Sequence, residues 1–155
     1  MLADVAAEVV SNRLLTRLRE ELGASYSPFA TFDITPAADR GDDFVELYIE
    51  VGTAPAQVDV VAATMTAEIA AMLLPGPTDA EIEAAFAVVM EQFGFVSNDT
   101  LADVLIASRS GVGETTDEYL RRWELASTLS LQSVRDYLSA TIHPEQYIEI
   151  RAIPR

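Results

Sequence analysis

Apolar residues return every fourth position early in the chain. Val10, Leu14, Leu18 and Leu22 stack on one side with Leu15 beside them, which predicts a helix over residues 2–22. Gly23 is placed to end that helix. From Tyr26 to Ile34 the period changes to two, with Tyr26, Ala30, Phe32 and Ile34 on one face. This predicts a strand, and Pro28 marks its start as an edge or a bulge. Residues 36–43 read as a turn-rich hairpin loop. Phe44 to Val51 then alternates, Val45, Leu47, Ile49 and Val51 against Glu46, Tyr48 and Glu50, so the two strands form an antiparallel pair. A long helix follows Pro55, with Val58, Val61, Met65, Ile69 and Met72 at helical spacing, and stops at Pro75-Gly76-Pro77.

Thr78 and Glu81 have the spacing of a capping box for the next helix, whose inward stripe is Ile82, Ala85, Phe86, Val89 and Phe93. A shorter helix carries Leu101, Val104 and Leu105, and Ser110 to Gly113 forms a joint. A Gly-x-Gly after a helix, rather than after a strand, is not a nucleotide motif. Two further helices, around Asp117–Ala126 and Leu131–Thr141, precede a closing strand from Tyr147 to Ile153. Strands and helices are segregated, which predicts a single α+β domain over residues 1–155. Its antiparallel sheet is covered on one face by the helices from Pro55 to Thr141. Three strands are few for this much apolar surface. We therefore expect the sheet edges to pair with strands outside the chain, an N-terminal portion of the domain being missing.

Composition narrows the function classes. A formal charge of −15 leaves nothing to neutralise phosphates, so nucleic acid is excluded as a partner, and cationic peptides are favoured over anionic ones. All ten basic residues are arginine. Half the residues are hydrophobic, yet Thr64, Thr66 and Glu68 interrupt the longest apolar stretch, so we expect a soluble protein without a membrane span. The start, Met1-Leu2-Ala3-Asp4, lacks the charged region of a signal peptide. With no cysteine and one histidine, no zinc site of the usual kind can form, and His143, before Pro144, is expected to be an exposed turn residue. Cysteine content leaves cytoplasm and periplasm both open.

Chemistry concentrates in Leu18-Arg19-Glu20-Glu21-Leu22-Gly23-Ala24-Ser25-Tyr26-Ser27. Arg19 ends a helix and Tyr26 opens a strand, so a bend at Gly23 can fold both side chains toward one place. A fixed cation and a phenol together suit a peptide carbonyl or the oxyanion it becomes. The plain alternatives stay open: Arg19 as a last-turn arginine favoured by the helix dipole, and Tyr26 as a strand aromatic with its ring in the core. Glu20, Glu21 and the acidic residues of the 39–43 loop read as surface charge.

The segment resembles the C-terminal, non-catalytic domain of the M16 zinc peptidases, the insulinase, pitrilysin and mitochondrial processing peptidase family. Arg19 and Tyr26 stand seven positions apart, as an arginine and a tyrosine do in that family. Four further stretches are similar to the family: the hairpin from Asp33 to Val51, the lead-in from Gly52-Thr53-Ala54-Pro55 to Val58, the junction from Gly76-Pro77-Thr78-Asp79 to Ile82, and the close from His143-Pro144 to Ile153-Pro154. The resemblance implies that this is about the C-terminal two-thirds of one such domain, inactive alone because it lacks the His-x-x-Glu-His motif. It implies that Arg19 and Tyr26 bind substrate and stabilise the transition state. It also implies that zinc sits in a catalytic M16 domain, on the same chain or in a partner subunit, and that the pair cleaves peptides. A non-enzymatic scaffold or assembly subunit that kept the fold is the alternative. The bacterial periplasm is favoured over the cytoplasm.

Overall fold

The computed structural model describes residues 1–35, 44–94, 98–110 and 115–152. Helix α1 (Leu2–Leu14) is the spine of the core. Val5, Val9, Val10 and Leu14, together with Leu18 just beyond it, are each at most 1% exposed. At Leu15 the helix widens into a π-helical stretch, Leu15–Glu21. Each π turn takes about one residue more than an α turn, so the fourfold spacing falls out of phase with the core. Leu18 stays buried, but Leu22, expected in the same stripe, turns out to be 46% exposed.

Two strands follow, β1 (Phe29–Thr35) and β2 (Phe44–Glu50), paired antiparallel with Phe29 opposite Glu50 and Thr35 opposite Phe44. Strand β1 starts three residues later than its alternation suggested, immediately after Pro28, which has no N–H to give a ladder. Tyr26 therefore lies in the bend before the strand. The inner face of the sheet carries Ala30 and Phe32 with Val45, Leu47 and Ile49; Ile34, expected beside them, is largely exposed. The outer face carries Glu46, Tyr48 and Glu50, as the alternation required.

The helices that cover the sheet are not the whole run from Pro55 to Thr141. The principal cover is α1, whose Ser11 hydroxyl accepts the Ala30 amide at 3.1 Å. Helix α6 (Leu131–Thr141) assists, its Tyr137 meeting Phe32 edge-to-face at 5.2 Å. Helix α2 (Val58–Leu73) follows a short 3-10 turn and buries Val61 and Met72. Helix α3 (Asp79–Gly94) packs on α1 through Ile82, Ala85 and Val89. The Thr78 capping box is present: Thr78 N donates to Glu81 at 2.8 Å, and Glu81 N donates to the Thr78 hydroxyl at 3.3 Å. Helices α4 (Asn98–Ser110) and α5 (Thr116–Ala126) pack on each other.

The expectation for the end of the chain is corrected as well. The closing segment is not a strand over residues 147–152; Ile148 and Ile150 alternate with Glu149 and Arg151, but they and Tyr147 are all exposed and have no ladder partner among the described residues. The sheet is thus two-stranded among those residues. By length and composition, Pro55–Leu73 is also long and apolar enough to cross a membrane. Its two carboxylates are both in ion pairs, Asp59 with Arg151 at 2.6 Å and Glu68 with Arg17 at 2.9 Å. The hairpin loop, the glycine joint after Ser110, the Phe93 side chain and Ile153 lie outside the described residues.

Candidate functional site

The bend after the π-helical stretch is built around Gly23, whose φ of +58° is a backbone state open to glycine at little cost. The Leu18 carbonyl accepts two amides beyond the bend, from Ala24 at 2.7 Å and Ser25 at 3.2 Å, while Gly23 N donates to the Arg19 carbonyl at 3.1 Å. The first of these bonds reaches one residue further than in the usual glycine-ended α-helix, as the wider π turn requires. The chain then reverses, with Ala24 and Ser25 buried and Tyr26 thrown outward.

This reversal brings the two sequence-predicted site residues together. The Arg19 guanidinium carbon lies 5.1 Å from the centre of the Tyr26 ring. Both side chains are at the surface, and Tyr26 is 79% exposed, so its ring is not in the core. A cation over an exposed ring contributes about 0.5–1 kcal/mol, enough to bias their arrangement but not to hold the fold. Among the described residues neither side chain makes an ion pair or a side-chain hydrogen bond.

Arg17 contrasts with Arg19. Two residues away on the same turn, Arg17 takes up the nearby carboxylates, bonding Glu21 at 2.5 Å and Glu68 at 2.9 Å. The Glu21 hydrogen bond, and then the charges of Glu21 and Glu68, hold the Arg17 guanidinium pKa above its ordinary value. Beside the pair lies an open cleft of about 390 Å³, walled by the Gly23–Tyr26 turn on one side and by Gly52–Ala54 on the other. The walls are joined by an antiparallel bridge, Ser25 to Thr53, and by the Thr53 hydroxyl, which donates to the Ala24 carbonyl at 2.6 Å. Sequence spacing pointed to Arg19 and Tyr26 but not to Arg17 or Thr53. Thr53 is 29 residues from Ala24, and no local pattern signals that contact.

With the fold and the site in view, the chain belongs to the peptidase M16 inactive domain family, whose sequence profile matches residues 1–88. A solved structure of a peptidase M16 inactive domain from Pseudomonas fluorescens superposes on 92% of this chain with a TM-score of 0.69. The two are 17% identical, so the likeness is one of fold, and the chain spans 34% of that relative's length. No curated protein matches the sequence.

Zinc, which a peptidase of this family implies, does not fit the donors found among the described residues. The lone histidine, His143, is exposed and its nearest carboxylate, Glu145, is 3.9 Å away. Among the described residues no three histidine, aspartate or glutamate side chains gather as a metal site would need.

Proposed function

We propose that this chain is the substrate-holding, chamber-closing and non-catalytic domain of a zinc-dependent peptidase that cleaves peptides. The zinc and the general base then belong to a catalytic M16 domain, in the same polypeptide or in a partner subunit. The observation that carries the reading is the exposed Arg19–Tyr26 pair. A ring contact satisfies none of the guanidinium's hydrogen bonds to oxygen, so its planar fork of donors is left for a peptide carbonyl. The Tyr26 hydroxyl offers a second donor. As the carbonyl carbon becomes tetrahedral and its oxygen gains negative charge, both donors strengthen. That is the differential binding which raises rate rather than ground-state affinity alone.

The test is peptide hydrolysis by the chain together with its catalytic domain. Arg19→Ala and Tyr26→Phe should each lower kcat/KM by roughly 10–1000-fold, as expected when an oxyanion-directed donor is lost. The thermal unfolding of the chain should hardly move, because neither polar end is part of the core. Folded variants with normal hydrolysis would overturn the reading. Absence of hydrolysis from every complex formed by the unaltered protein would instead favour the scaffold subunit.

A further inference from the structure

We propose that Thr53 is a positioning residue that holds Tyr26 in place over Arg19; this rests on the peptidase reading above and extends it to a side chain that touches neither partner's polar end. Tyr26 follows directly on Ala24 and Ser25, two residues that are 5% and 8% exposed. Their inward ties of the first kind run to the Leu18 carbonyl through their own amides. On the other side, the Ala24 carbonyl is met by the Thr53 hydroxyl at 2.6 Å. Ser25 and Thr53 also form an antiparallel bridge that joins the turn to the end of the hairpin.

The leverage of that hydroxyl follows from burial. A carbonyl in a residue as enclosed as Ala24 has little water to fall back on, so removing its donor leaves an acceptor whose desolvation is uncompensated. The turn can recover by swinging the Ala24 carbonyl outward, and Tyr26, two residues on, swings with it. Gly23, at φ +58° and without a side chain, is the point in the turn with the widest choice of backbone states. Arg19, fixed on the helical side of the bend, does not follow. Losing one hydroxyl at residue 53 thus separates a pair formed by residues 19 and 26. In an oxyanion site a displacement of about 1 Å is costly, on the order of 100-fold in rate.

The experiment reads the pair directly, by nuclear magnetic resonance on this chain. The Tyr26 ring current shifts the Arg19 side-chain resonances relative to a Tyr26→Leu reference. Thr53→Val should abolish more than half of that shift, and Thr53→Ser, which restores the hydroxyl, should keep it. A full shift in Thr53→Val overturns the proposal. If the valine does not fold, Thr53→Ala against Thr53→Ser makes the same comparison without added bulk, and equal shifts in those two overturn it as well. Unfolding of all three variants also overturns it, since the hydroxyl would then be a requirement of the fold. Hydrolysis assays separate this from the reading beneath. Normal activity in Arg19→Ala rejects the peptidase role, whereas the resonance shift judges Thr53 by itself.

Discussion

Arg17 and Arg19 sit two positions apart and have opposite fates. Arg17 is bound up by Glu21 and Glu68, whereas Arg19 meets, among the described residues, an aromatic face and no carboxylate. A third arginine shows what full engagement looks like. Arg13, on α1, forms a two-pronged pair with Glu81 on α3, Nε to Oε1 at 2.7 Å and a second nitrogen to Oε2 at 2.8 Å. The Arg13 hydrogen bond, opposed by partial burial and aided by Thr78, lowers the Glu81 pKa to about 2. The unfolded carboxyl titrates near its ordinary value, so the unfolded chain binds the proton first. Stability from this pair is complete above about pH 5, declines as pH falls, and is gone below pH 2 or so. Discounted for solvent around a carboxylate that is a third exposed, Glu81→Gln should cost about 1–2 kcal/mol at pH 7. The two proteins should converge in thermal stability toward pH 2. A gap that persists undiminished at that pH contradicts the assignment.

At the scale of elements, the Gly23 bend decides where Tyr26 goes. A side chain at Gly23 would meet nothing within 4 Å, so the cost of adding one is purely conformational. Gly23→Ala should therefore lower stability by about 1–2 kcal/mol, and Gly23→Asn by less, since asparagine visits the left-handed region more readily. Differential scanning calorimetry checks this, the alanine lowering Tm by roughly 2–8 °C. Equal Tm values for glycine and alanine would mean that the bend is not held at positive φ. Much of this element was readable beforehand, because a glycine stop after an apolar stripe is a local signal. The Thr78–Glu81 box and the β2 alternation were readable for the same reason. The π-helical stretch was not, since its residues are ordinary helix formers and only the hydrogen-bond register, five residues back instead of four, distinguishes it. Nor was the fate of Tyr147–Ala152, where alternation supplies a strand's pattern but not a neighbour to pair with. The meeting of Arg19 and Tyr26 was legible through their spacing across the Gly23 bend, whereas the Thr53 contact is one that only the folded chain creates.

Over the whole molecule the charge of −15 is the dominant long-range property, and the sheet concentrates part of it. Asp33 and Glu46 stand directly opposite one another across the two strands, on the exposed face that also bears Tyr48 and Glu50. Like charges so placed destabilise a sheet slightly and attract cations. A lysine- and arginine-containing peptide should accordingly bind this chain more tightly than the same peptide with glutamates. The preference should shrink several-fold as salt rises from about 50 to 500 mM and the screening length contracts. Fluorescence anisotropy with labelled peptides measures both; a preference indifferent to salt would rule out charge as its source. The site itself has a different geography. Its cation, its bend and its phenol all fall between Arg19 and Tyr26, on one uninterrupted run of chain. A contact written into consecutive residues is inherited as a unit: duplication, fusion or recombination that carries the run carries both partners in register. What such an event must find again is the outside brace, a hydroxyl placed where Thr53 stands, and a descendant that lacks it would keep the letters of the site and lose its geometry.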